Sequence, residues 1–187
     1  MKKICTNGFK ISNADQKALD HYLIVTPKKW AHDALRGMIN KALKTILKDW
    51  FEEYKETKTA IMSADIAVII PEILKLKNFK NYNIPSQEDR KPKRKQLAIN
   101  EIWDQGFEIQ DHENEALIAF YKDPEQTLRD FMENKIARRK EAFVKEHSEQ
   151  LIKDPKVKEI PTKDDDLIDL ITLNPSYKNR KQREENN

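Results

Sequence analysis

The sequence predicts an all-α protein: a small helical head with a long main helix, a basic linker, a second long charged helix and extended tails. Three observations predict it. The chain of 187 residues holds only three glycines and is 36% charged against 38% hydrophobic, a composition that favours helix over sheet and a modest core with extended segments. Apolar residues recur in adjacent pairs four apart, as Ala34-Leu35, Met38-Ile39, Ala42-Leu43, Ile46-Leu47 and Trp50-Phe51. Two long stretches open on a cap residue followed by proline, Thr26-Pro27 and Asp123-Pro124. There the cap oxygen accepts from a free amide of the first turn, and the missing proline N–H costs nothing.

In chain order, residues 1–13 read as an irregular arm, and Asn13 is the expected cap of a short helix ending near Tyr22. Leu23-Ile24-Val25 links it to the main helix over 26–58. Four residues turn a helix about 400°, so the apolar stripe advances roughly 40° per pair and about 160° from Ala34 to Trp50. Two or three neighbours are needed to cover such a stripe. Gly37 costs about 1 kcal/mol against alanine and is expected where another backbone approaches closely. Asp65 caps a second helix over 66–76 that Pro71 ends or kinks, with a short buried strand over 67–70 as the alternative. These elements make the head, 1–76.

The linker, 77–96, has no periodicity. Residues 75–95 carry eight basic and two acidic side chains, whereas 96–133 carry two basic and ten acidic. Alternating blocks suit pairing between segments or copies better than the single basic stripe of a DNA-binding surface. The third region, 97–153, begins with an acidic segment whose Trp103 and Phe107 are expected to anchor in a groove, on this chain or on another subunit. A short acidic helix over 113–122 follows, then the helix opened by Asp123, with a thin stripe of Leu128, Phe131, Met132, Ile136, Ala142, Phe143 and Leu151 and with Arg138, Arg139 and Lys140 across from it. The tail, 154–187, contains three aspartates ahead of Leu167, Ile168, Leu170, Ile171 and Leu173. The carboxylates suit a helix N-terminus, and the aliphatics read as a docking peptide for a partner or as a helix folded back on its own core.

Little in the chain points to chemistry. Cys5 is the only cysteine, so no disulfide within the chain and no thiolate metal site is expected, and a nucleophile in a loose arm could not be held in place. His21, His32, His112 and His147 lie far apart with no metal-ligand spacing, and His32 and His147 are expected to be exposed on helices. Glycine-rich phosphate loops and the nucleophile elbow are absent, and the acidic stretch 101–115 lacks a calcium-loop pattern. No catalytic, cofactor-binding or metal residue and no small-molecule substrate is therefore expected. The longest apolar run, 66–70, is far below the roughly 20 residues that span a bilayer, and the N-terminus has no apolar signal-peptide region. Arg90, Lys91, Lys93, Arg94 and Lys95, with Arg138, Arg139 and Lys140, are the candidate phosphate contacts.

The stretch VTPKKWAHDALRGMINKALKTILKDW, followed by Ile84-Pro85 and EIWDQGFEI, resembles small phage-encoded proteins of the virion or its assembly. The resemblance is one of overall style over most of the chain. It implies a non-enzymatic structural or assembly protein, in the virion or the host cytoplasm, that contacts copies of itself or other virion proteins. Two alternatives stand beside it: a nucleic-acid-associated protein working through the basic residues above, and a small regulator binding one host protein.

Overall fold

The computed structural model describes residues 1–53, 65–85, 100–152 and 160–185. These residues form β1 (Lys2–Ile4), β2 (Phe9–Ile11), α1 (Asn13–Tyr22), α2 (Pro27–Glu53), α3 (Ile66–Leu74), β3 (Asn100–Trp103), β4 (Phe107–Ile109), α4 (Asp111–Phe120), α5 (Pro124–Ile152), α6 (Asp164–Leu173) and α7 (Arg180–Glu184). The protein is mostly helical. The all-α expectation is corrected by two small antiparallel sheets, β1 with β4 and β2 with β3. The arm expected over 1–13 supplies β1 and β2, and the acidic aromatic segment supplies β3 and β4. β2 and β4 alternate cleanly but briefly: Phe9 and Ile11 are buried around an exposed Lys10, and Phe107 and Ile109 around an exposed Glu108.

The chain repeats itself at an offset of 98, shortened to 97 within the long helices. Ile4-Cys5-Thr6-Asn7-Gly8-Phe9-Lys10-Ile11 aligns with Ile102-Trp103-Asp104-Gln105-Gly106-Phe107-Glu108-Ile109, and Ala18-Leu19 with Ala116-Leu117. The structure follows this alignment. Strands β1 and β2 correspond to β3 and β4, α1 to α4, α2 to α5 and α3 to α6. In α3 and α6 the buried residues Ile69, Ile70 and Ile73 correspond to Leu167, Ile168 and Ile171. In the long helices Ala31, Leu35, Ile39 and Ile46 correspond to Leu128, Met132, Ile136 and Phe143, all buried. The ribbon registers also correspond. Lys2 lies opposite Ile109 and Lys3 opposite Glu108; Asn100 lies opposite Ile11 and Glu101 opposite Lys10, with a bulge between Phe9 and Lys10.

Two compact units result, and they interleave the chain rather than following it as an ordered head, linker and tail. Unit 1 comprises Met1–Gly8, Ala31–Asp89 and Asp104–Asp130; unit 2 comprises Phe9–Trp30, Arg90–Trp103 and Phe131–Asn187. Unit 1 contains the β1–β4 ribbon and packs α4 on α3. Unit 2 contains the β2–β3 ribbon and packs α1 on α6 around a cluster of Ala14, Ala18, Phe143, Leu151, Leu167, Ile168 and Ile171.

Local chemistry fixes the helix starts. The cap of α1 is Ser12 rather than Asn13: its Oγ accepts from the Asp15 amide at 3.1 Å, and the Asp15 carboxylate accepts from the Ser12 amide at 3.3 Å. This reciprocal box satisfies two free donors. Glu113 likewise accepts from the Gln110 amide at 2.9 Å. The spare oxygen of each carboxylate meets a cation of its own unit, Lys140 at 3.1 Å from Asp15 and Arg36 at 2.7 Å from Glu113. Thr26, Asp65 and Asp123 cap α2, α3 and α5 through their side-chain oxygens.

Three sequence expectations are corrected by packing. The buried member of each apolar pair in α2 switches from the second residue (Leu35, Ile39) to the first (Ala42, Ile46, Trp50), so the buried line turns only about 60° between Leu35 and Trp50. Gly37 is exposed, and a Cβ there would meet nothing within 4 Å; no backbone approaches it. Cys5 is buried at the turn after β1, at φ 55°. Burial, aided by the charge of Glu125, pushes its thiol up to about 12. Arg129 closes this turn by donating to the carbonyls of Asn7 and Gly8. No helix among the described residues is long and apolar enough to cross a membrane.

Three stability predictions follow from this packing. Gly37→Ala is expected to stabilise the protein by about 1 kcal/mol, whereas Gly106→Ala is expected to destabilise it by about 1–3 kcal/mol. Gly106 sits at φ +75°, and its Cβ would fall 2.9 Å from the Cys5 carbonyl oxygen. Denaturant midpoints of the two variants check both signs. The double variant Lys3→Glu/Lys10→Glu is expected to lose roughly 1 kcal/mol or more from like charges facing across both ribbons. Adding Glu101→Lys and Glu108→Lys is expected to restore most of the loss, read in the same assay.

Candidate functional site

Among the described residues, a cluster of chemically capable side chains lies in unit 2, at the C-terminal end of α1. The last carbonyls of α1 are left without helical partners and are met by arginines from α7: Arg183 donates to His21 at 2.7 Å and Arg180 to Tyr22 at 3.1 Å. This fixes His21, which is only 2% exposed. Its ring stands edge-on to Phe143 and His147, both with centroids at 4.9 Å. Its Nδ1 is 3.1 Å from the Tyr177 hydroxyl, and its Nε2 is 3.5 Å from a Glu146 oxygen. Burial first, and then the Arg183 guanidinium, lower the His21 pKa to about 4, against the opposing pull of Glu146.

The neighbours are themselves held in place. The Tyr22 hydroxyl donates to the second Glu146 oxygen at 3.2 Å. His147 stacks on Phe143 at 4.5 Å, and its Nδ1 lies 3.0 Å from the Phe143 carbonyl. A carbonyl only accepts, so this contact needs the proton on Nδ1, and in the neutral ring that leaves the lone pair on Nε2. One donor atom each from His21, Glu146 and His147 lie within 4.8 Å of one another. A pocket of about 400 Å³ opens beside them, lined by His21, His147, Leu151, Ile171, Tyr177 and Arg183 among others.

The repeat shows what is particular to this place. At the matching positions of unit 1, His21 is replaced by Ala119, Glu146 by Asp49, His147 by Trp50 and Tyr177 by Phe79. In unit 1 Asp49 accepts from the Tyr82 hydroxyl at 2.5 Å, and the Tyr82 ring packs on Phe120 at 4.9 Å. Unit 1 has an alanine and aromatic rings where unit 2 has a polar pocket.

A second difference runs the other way. In unit 1, Ile66 and Val68 of α3 and Ile118 of α4 are exposed, Val68 by 59% and Ile118 by 56%. Their counterparts in unit 2 are Asp164, Asp166 and Asp20.

The residues singled out from the sequence are distributed as follows. Trp103 is buried in unit 2, with its ring 4.9 Å from Phe9. Phe107 is buried in unit 1, 5.9 Å from the His32 ring. Leu167, Ile168 and Ile171 are core residues of unit 2, Leu170 packs against that core and Leu173 is 75% exposed. Of the two readings of the 164–173 helix, the structure has the one folded back on its own unit. Arg138 is exposed, Arg139 lies 4.7 Å over the Trp30 ring, and Lys140 is paired with Asp15 and Asp165. Arg90, Lys91, Lys93, Arg94 and Lys95 lie outside the described residues. The histidines expected to be scattered are corrected in two respects: His21 and His147 are ring neighbours, and His147, expected to be exposed, is half-buried because its ring stacks on Phe143. Only the repeat, which pairs His21 with Ala119, carries a sequence signal for them. Compared with protein-family models, curated proteins and solved structures, the chain matches none.

An acid-sensitive contribution to stability follows from His21. An ordinary histidine titrates near 6.5 and His21 near 4. Between those values the unfolded chain takes up a proton that the folded chain refuses, so stability falls as pH drops through the window. Wild type is expected to exceed His21→Gln in denaturant stability at pH 7. That margin is expected to shrink by on the order of 2 kcal/mol at pH 4.5.

Proposed function

We propose that the protein is a non-enzymatic structural or assembly component, and that it associates with a second copy of itself through the outer face of α3 and α4 in unit 1. The observation that carries this reading is the exposure of Ile66, Val68 and Ile118 at positions where the repeat holds aspartates. The counterpart helices carry carboxylates at these positions, so the packing within a unit does not require aliphatic residues there. Covering a valine or isoleucine contributes about 1.5–3 kcal/mol, and an exposed aliphatic patch is complemented by another copy of itself across a two-fold contact. The setting is the one the resemblance implies, a phage particle, with other virion subunits as further partners. The nucleic-acid alternative receives less support, because Arg139 and Lys140 are engaged within unit 2.

Light scattering over a concentration series, at low and high salt, tests the proposal. Wild type is expected to rise to about twice its 22.1 kDa monomer mass and to keep that mass in high salt, because apolar contacts release no counterions. Val68→Asp/Ile118→Asp is expected to stay monomeric with an unchanged helical circular dichroism signal. A wild type that remains monomeric throughout, or a variant that associates equally well, removes the reading.

A further inference from the structure

We propose that His21, Glu146 and His147 of unit 2 form a binding site for a borderline divalent metal ion such as Zn²⁺, with the remaining coordination position open to the adjoining pocket. The inference lies beyond the assembly reading and does not rest on it. Two imidazoles and a carboxylate are the donor types such ions select, whereas Ca²⁺ and Mg²⁺ prefer all-oxygen sites. The three donor atoms lie within 4.8 Å of one another, and the His21 Nε2 to Glu146 Oε1 distance is 3.5 Å. Metal–ligand bonds of about 2.1 Å place tetrahedral donors roughly 3.4 Å apart. One contact is already at that spacing, and Glu146 is on the exposed side of the site.

The surrounding groups orient the donors as metal ligands are usually oriented. His147 donates from Nδ1 to the Phe143 carbonyl, which leaves Nε2 for the ion. His21 has Nδ1 against the Tyr177 hydroxyl, which likewise leaves Nε2. Tyr22 holds the far oxygen of Glu146. Tyr177 and Arg183 line the pocket beside the open position, where water or a small anion completes the coordination. The repeat keeps a carboxylate, Asp49, but lacks both imidazoles, with Ala119 and Trp50 in place of the histidines.

The test uses the full chain stripped with chelator. Calorimetric titration with ZnCl₂ is expected to give one ion per chain, and Co²⁺ as a probe is expected to give the visible absorption of a four-coordinate site. His147→Gln and Glu146→Gln are expected to weaken Zn²⁺ binding at least tenfold, and His32→Gln to leave it unchanged. Glu146 is exposed, so its variant is expected to keep the wild-type circular dichroism spectrum while losing the zinc-induced rise in melting temperature. Absence of Zn²⁺ binding by wild type, or binding as tight as wild type in His147→Gln and Glu146→Gln, overturns the proposal.

Discussion

The architecture depends on which strand pairs with which. Each ribbon sets one lysine directly opposite one glutamate, Lys3 to Glu108 in unit 1 and Lys10 to Glu101 in unit 2. Both lysines belong to the first repeat and both glutamates to the second. A repeat that paired with itself would set Lys3 against Lys10, or Glu101 against Glu108. Opposed like charges are unfavourable at this spacing and opposite charges are favourable, so the pattern selects exchange between the repeats. Loop-closure entropy grows only slowly with separation, so the long connection is a modest penalty once the register is right. The exchange continues beyond the ribbons: α1 packs on α6, and α4 on α3. Neither repeat can complete a ribbon or cover its short helix by itself.

A repeat provides a comparison within one chain. Positions that face the cores stay apolar in both copies, as with Leu35 and Met132 or Ile70 and Ile168. Positions at the edges separate. One edge is aromatic in unit 1 and a histidine pocket in unit 2, and another is aliphatic in unit 1 and acidic in unit 2. The core pattern is what both copies need in order to fold. The edges are free of that requirement, and it is there that the two copies acquire different capabilities.

The helices were legible because their signals are local. Thr26-Pro27, Asp65 and Asp123-Pro124 mark starts through hydrogen bonds spanning two or three residues. The strands were not, since three or four residues give too short an alternation, and their partners lie about a hundred residues away. Trp103 and Phe107 looked like anchors for a partner because their strand context was hidden. In place, each is the inward residue of a ribbon. Gly37 misled for a related reason. Counting both members of each apolar pair put it inside the stripe, but only one member is buried, and the glycine falls on the open side. His21 and His147 belong to helices distant in sequence, so spacing alone could not join them. The Ile-x-x-x-Gly-Phe-x-Ile match at Ile4 and Ile102 was the readable signal, because it organises the strands, the caps and the histidine pocket together.

Among the described residues, several charges of the alternating blocks find partners inside the units. Lys140, with 14% of its side chain exposed, sits between Asp15 and Asp165. Lys17 reaches Asp169 at 2.7 Å, and Arg36 reaches the nearly buried Glu113 at 2.7 Å. Releasing such a group to an outside phosphate would leave a carboxylate unpaired in a partly desolvated place, which costs more than an exposed contact returns. The charges that make the chain look like a binder of nucleic acid are, in the described residues around Lys140, fold-holding groups. Among the described residues, groups of other kinds also face outward or line a pocket: three aliphatic side chains on the outside of unit 1, and two imidazoles beside a carboxylate in unit 2. Outward function in this protein is therefore argued better from apolar contact and metal coordination than from net charge.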